Sequence, residues 1–159
     1  MLQKQKVNIA LDERLFEEAK IAIVRTDYHK ELIDNLETYC HNTLKQYGVR
    51  EKNIKVFTVP GSWEIPLLVQ AAAKSKNFDA IITLGVIMRG ETYHFDMIAN
   101  ECARALMQLS LDYSMPIAIE ILAVNNIKQA KERTGKNIRN KGIEAAIAVL
   151  KSLSALKKI

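Results

Sequence analysis

Asp79-Ala80-Ile81-Ile82-Thr83-Leu84 runs straight into Gly85-Val86-Ile87-Met88-Arg89-Gly90-Glu91-Thr92-Tyr93-His94-Phe95-Asp96, and this stretch decides the fold. Its first part is a short apolar run, the pattern of a strand covered on both faces. A loop is expected from Gly85 to Tyr93. From His94 to Asp112 the residues Met97, Ile98, Cys102, Ala105, Leu106 and Leu109 recur at helical steps, which predicts a long helix with one apolar stripe. Strand, loop and helix in that order are the front half of a parallel crossover.

The same alternation extends in both directions. Lys20 to Arg25 reads as a buried strand, and Leu32, Ile33, Leu36, Tyr39, Cys40, Leu44 and Tyr47 mark the helix after it, stopped at Gly48. Ile54 to Val59 is a second strand, broken by Pro60-Gly61, and Glu64 to Lys74 a helix with Pro66 in its first turn. Pro116 opens a further strand, Ile117 to Val124. A short helix around Ile127 to Arg133 and a last one from Asn140 to Leu156 complete the chain. This order predicts an α/β domain spanning 1–159, with a four-stranded parallel sheet and helices on both faces. Ligands of such sheets sit beyond the carboxyl ends of the strands, here Arg25 to His29, Pro60 to Glu64, Gly85 to His94 and Ala123 to Asn126. In the N-terminal segment 1–19, Val7 to Leu11 reads as an extra edge strand, on a neighbouring subunit's sheet.

Composition narrows the function. Hydrophobic residues make up 48% of the 159, an ordinary folded composition, and no apolar run approaches bilayer length. Met1 to Lys6 is polar and leads into no signal-like apolar segment, so a cytoplasmic protein without membrane contact is expected. Cys40 and Cys102 lie in helical patterns without metal-ligand spacing, and read as buried free thiols. The net charge of +5 is concentrated in Lys128, Lys131, Arg133, Lys136, Arg139 and Lys141, which suits an anionic partner. No aromatics are interleaved with these bases for stacking, which counts against nucleic acid.

Several phosphate and nucleophile motifs are absent. Gly85 and Gly90 do not space as G-x-G-x-x-G. Gly135-Lys136 is no Walker loop, with Ala130 and Asn137 at its required glycine and hydroxyl positions. There is no G-x-S-x-G, and the loop Arg25-Thr26-Asp27-Tyr28-His29 lacks glycine. What remains is the Gly90 loop feeding a helix N-terminus, where free N–H groups favour an anion, with the Thr92 hydroxyl beside it. His94 at the helix entrance has the side chain suited to take and give protons near neutrality. His29 is the second candidate, and His41 looks structural. Pro60-Gly61-Ser62-Trp63-Glu64 presents an aromatic face, amides and a carboxylate, which suit a flat heterocycle with a polyol tail. Alternatively Trp63 is a core anchor and Glu64 a helix-start acid. Arg133 offers a fork for phosphate, or is part of a basic turn between helices.

Val59-Pro60-Gly61-Ser62-Trp63-Glu64-Ile65-Pro66, then Leu84 to Asp96, then Arg133 to Ala146 together resemble the lumazine synthase family, in order and spacing, over about Ile21 to Leu150. The resemblance implies a flavodoxin-like three-layer α/β/α sandwich, assembled into pentamers with active sites between subunits. It implies condensation of a ribitylaminopyrimidine with a butanone phosphate, feeding riboflavin synthase downstream, without a cofactor or metal. By similarity Ser62, Trp63 and Glu64 hold the ribityl chain, Val86, Ile87 and Met88 line the pyrimidine pocket, and Lys141 lies near it. Glu91, Thr92 and Arg133 hold the phosphate, and His94 transfers protons. The family's aromatic just after the first strand is met here by Tyr28, two residues late, and Ile119 stands where a partner-subunit aromatic is common. Val86 and Met88 also differ from the commonest residues. A catalytically silent relative and a basic nucleic-acid-binding domain are the rival readings.

Overall fold

The structure, a computed structural model, describes residues 13–159. Strands β1 (Ile21–Thr26), β2 (Ile54–Val59), β3 (Ala80–Met88) and β4 (Ile117–Val124) form one all-parallel sheet in the order β2-β1-β3-β4. Helices α1 (Glu13–Glu18), α2 (Lys30–Gln46), α3 (Ile65–Ser75), α4 (His94–Asp112), α5 (Ile127–Thr134) and α6 (Lys141–Leu156) complete it. The step from β1 to β2 runs one way along the sheet, and the steps to β3 and β4 run the other way. Parallel crossovers share one hand, so reversing direction puts α2 on one face and α3 with α4 on the other. The last helix returns to pack on α2. The result is a flavodoxin-like three-layer α/β/α sandwich whose direction reverses between β1 and β3.

Side chains alternate across the sheet, and each face has its own core. Ile21, Ile23, Ile82, Leu84 and Val86 pack with Leu36, Leu44, Ala146, Val149 and Leu150 beneath α2 and α6. Ala22, Val24 and Ile81 pack with Ile65, Val69, Leu106 and Leu109 beneath α3 and α4. Covered on both sides, β3 is apolar almost throughout. Edge strand β2 is buried only at its ends, Ile54 and Val59, and exposes Lys55, Val56 and Thr58 between them. The other edge, β4, is only half-buried over most of its length.

The strands expected at 54–59 and 117–124 and the helix at 94–112 lie where the pattern put them. The free, buried cysteines do too. Three expectations are corrected. The loop expected from Gly85 starts only after Met88, because Gly85 to Met88 continue the ladder opposite Ile121 to Val124. The chain at Ser62–Glu64 makes a separate 3₁₀ turn before α3. Met97 is exposed, and Phe95 takes its place on the buried face of α4. Helix α1 was not expected. It is too short to show periodicity; its Phe16 joins the core and Leu15 packs against it. The edge strand expected at 7–11 lies outside the described residues.

Candidate active site

The carboxyl edge of the sheet is where the chemistry-bearing loops gather. Strand β3 outlasts β1: their last paired residues are Arg25 and Leu84, whereas β3 stays paired to β4 as far as Met88. Beyond Leu84, then, β3 is laddered to β4 and has no ladder partner on the β1 side. Its peptide groups border the reversal point between β1 and β3. The Val86 side chain is buried beneath α2 and α6, and that of Ile87 in a small cluster with Phe95, Ile98 and Cys102, so what these two residues leave open at this edge is backbone more than side chain.

Two loops converge on this edge. The 3₁₀ turn after β2 is held by Glu64, whose Oε2 accepts from the Gly61 N–H at 3.0 Å. Ser62 is buried against β3: a Cβ added at Gly85 would stand 3.0 Å from Ser62 Oγ and 3.3 Å from Ile121 Cγ2. Only glycine lets the turn come so close. The Cys102 thiol donates to the Ser62 carbonyl at 3.2 Å and ties the turn to α4. Burial pushes that thiol up to about 11, with Glu64 and Glu101 adding to it, so it stays protonated. Trp63 is left 41% exposed, which excludes a core anchor, and its ring lies 6.2 Å from that of His94. Residues 31 positions apart in sequence, from different crossovers, thus form one wall.

His94 begins α4, and its backbone N–H donates to Thr92 Oγ1 at 3.4 Å. Glu91, Thr92 and the His94 side chain face solvent. After β1, Tyr28 is 68% exposed and packs on His29 with ring centroids 4.4 Å apart. His29 itself adopts the left-handed conformation (φ 59°, ψ 47°) that turns the chain into α2, and burial lowers its pKa. The Arg25 guanidinium is occupied by Glu37 and, at 2.7 Å, by Asp34 on α2. His41 pairs with Glu51 on the far side of α2.

The remaining candidates belong to the other half of the fold. Ile119 is half-buried on β4, opposite Thr83, against the α3/α4 core. Arg133 donates from NH1 to the Gln129 carbonyl of its own helix at 3.1 Å and stays partly exposed. Lys141 Nζ contacts Glu144 Oε2 at 2.6 Å. Among the described residues, no hydrogen bond, ion pair or ring contact joins these three to Trp63 or His94. The turn between α5 and α6 is held by Asn140, fully buried. Its amide donates to the carbonyls of Thr134 (2.9 Å), Gly135 (3.0 Å) and Asn35 (3.4 Å), and its oxygen accepts from the Gly142 N–H (2.8 Å).

Two further residues carry no signal a single sequence displays. Arg89 grips the loop before α4, and its only hint was its place after the strand in the family motif. Glu120 lies on β4 within electrostatic reach of Lys141. Burial pushes its carboxyl from an ordinary 4.5 up to about 7, Lys141 opposing and Glu144 adding to the rise. A carboxyl whose folded pKa is raised binds its proton more tightly when folded. Its contribution to stability is therefore greatest below pH 4.5 and is lost as pH rises through 7. Glu120→Gln should unfold like the parent at pH 4 and be more stable at pH 8 by on the order of 2 kcal/mol, after allowance for partial solvation. Urea titrations at both pH values measure this, and equal stabilities at pH 8 would disprove it.

Fold and loops together define a doubly wound α/β protein whose strand termini, the candidate ligand edge, are bordered by an aromatic ring, an imidazole and a helix N-terminus. Residues 18–157 match the family model described as 6,7-dimethyl-8-ribityllumazine synthase. The chain is also similar to the 6,7-dimethyl-8-ribityllumazine synthase of Blochmanniella pennsylvanica (strain BPEN), 40% identical over 154 residues that cover 96% of this chain and 98% of that protein. The chain belongs to the 6,7-dimethyl-8-ribityllumazine synthase family.

Proposed function

We propose that the protein condenses 5-amino-6-(D-ribitylamino)uracil with 3,4-dihydroxy-2-butanone 4-phosphate, releasing phosphate and water, in riboflavin biosynthesis. The observation that carries this is the meeting of Trp63 and His94 at the carboxyl edge of a chain that the family model matches almost throughout. The substrate amine attacks the ketone to form an imine with loss of one water, phosphate is eliminated, and after tautomerisation the ribitylamino nitrogen closes the ring with loss of a second water to give the lumazine. These steps need proton transfer and a tethered phosphate, and placing both reactants in one pocket lowers the entropic barrier.

In this reading Tyr28 and a neighbouring subunit's Ile119 flank the pyrimidine, and the unladdered edge of Val86, Ile87 and Met88 meets its polar rim. Ser62, Trp63 and Glu64 hold the ribityl chain, with Lys141 close by. Glu91, Thr92, the α4 N-terminus and Arg133 hold the phosphate, whose charge grows as it departs. His94 transfers the protons. The site is completed by a second subunit within a pentamer. Two features support that: Tyr28, Trp63, Glu91, Thr92 and His94 all lie open on one chain, and α4 exposes Tyr93, Met97, Met107 and Leu111 along one side. A row of large apolar side chains left in water marks a contact surface. Riboflavin synthase would consume the product. No helix among the described residues is long and apolar enough to cross a membrane.

Mixing the purified protein with both substrates and following lumazine absorbance tests the reading. Turnover above the spontaneous reaction is expected, and its absence would favour a silent relative. Sedimentation should give a multiple of five chains. Arg133→Ala should raise the Michaelis constant for the butanone phosphate about tenfold, the loss of one charge-assisted contact, and leave that for the pyrimidine unchanged. An unaltered constant for the phosphate substrate would remove Arg133 from the site.

A further inference from the structure

Arg89 follows the last residue of β3, at the start of the turn that carries Glu91, Thr92 and His94. Its backbone N–H still donates to the Val124 carbonyl, 2.9 Å away, so the residue is anchored to the sheet. Its guanidinium then makes three kinds of contact. NH1 and NH2 donate to the two carboxylate oxygens of Asp96, each at 3.2 Å, and Nε donates to Asn125 Oδ1 at 3.2 Å. The guanidinium carbon stands 4.1 Å above the centre of the Phe95 ring, itself buried. One side chain therefore bolts together the end of β3, the end of β4 and the first turn of α4. A two-pronged grip of this kind fixes orientation as well as distance. The four residues between its backbone and the helix, Gly90 to Tyr93, must follow a path whose two ends are held.

The pairing also has an electrostatic consequence. Asp96 is the only acid in the first turn of α4, where helix N–H groups would attract a ligand anion. Left unpaired, its charge would oppose a phosphate at that position. Bound to Arg89, it is neutralised.

We infer that Arg89 is a positioning residue for this site: it holds the Gly90–Tyr93 turn and the head of α4 in register, and it cancels the Asp96 charge beside the phosphate position. This rests on the phosphate and proton-transfer roles proposed above for the turn and His94. The test uses full-length Arg89→Met, Asp96→Asn and the double variant. In Arg89→Met, amide hydrogen exchange should quicken over residues 90–95 and stay unchanged in β1 and α6. Its Michaelis constant for the butanone phosphate should rise about fivefold, the effect of one like charge a few ångströms away through water, with the pyrimidine constant unmoved. Its kcat should fall about tenfold through loss of alignment. Adding Asp96→Asn should restore the phosphate constant and leave kcat low, a split that general destabilisation does not produce. Unchanged exchange over 90–95, or no recovery of the phosphate constant in the double variant, overturns the inference. If His94→Ala and Arg133→Ala are silent while the exchange change is seen, the functional reading of the loop fails and Arg89 keeps only its grip on the turn, which equally overturns its role in catalysis.

Discussion

Replacing Gly142 with alanine will lower the free energy of unfolding by about 4 kcal/mol, at the upper end of single-residue effects. The reason lies in the crossing of α2 and α6. A Cβ at this position would stand 2.1 Å from the Leu36 carbonyl oxygen and 3.0 Å from the Cys40 nitrogen, both backbone atoms of α2. A backbone cannot rotate aside as a side chain does. The helices would have to separate, opening the core in which Leu36, Cys40, Ala145, Ala146 and Val149 meet. Separation also strains the Asn140 hub, whose oxygen accepts the Gly142 N–H. A melting temperature lower by about 10 °C corresponds to this loss in a chain of this size. Urea denaturation with the slope held constant measures it. A change below about 1 kcal/mol would show that α2 and α6 part without cost, contrary to close packing.

The second large effect is on turnover. His94→Ala should reduce kcat about 100-fold and leave the Michaelis constants within about threefold of the parent's. Positioned general acid–base groups contribute roughly 10²–10⁴. The lower end applies because placing both reactants in one pocket, which does not depend on the imidazole, keeps its share of the rate. Stability should hardly change, since the side chain is exposed and contributes to the wall only through its contact with Trp63. Single-turnover absorbance measurements separate chemistry from binding. A variant with unchanged kcat would eliminate the imidazole as the proton carrier, and one with only a raised pyrimidine constant would make it a wall of the pocket.

Much of the fold was legible in the chain. Asp79 to Leu84 reads as a strand covered on both faces because its run from Ala80 is apolar but for Thr83, whose hydroxyl donates to the Ala118 carbonyl. The helix stripe of Leu32, Ile33, Leu36, Cys40 and Leu44 is equally plain and is buried as expected. Boundaries slipped where a local signal and a tertiary one competed. Gly85 reads as a loop opener, yet the ladder to β4 carries the strand on to Met88 because inter-strand hydrogen bonds outweigh one residue's propensity. Met97 fits a helical stripe by number, but the sheet covers an arc that favours Phe95. Segments of the candidate site were legible as well, through motif order. How their side chains meet was not.

Alternating apolar runs and helical stripes by themselves determined the layered α/β architecture, its parallel strands and the edge at which ligands gather, because these follow from periodicity and chain direction. Tertiary structure alone decided which charges are spent. Arg25 turns to Glu37 and Asp34, Arg89 grips Asp96, and Lys141 pairs with Glu144 within electrostatic reach of the half-buried Glu120. It alone brought Trp63 to His94 and gave Gly142 its necessity. Each of these depends on the separation between elements far apart in the chain, a distance that no local pattern encodes.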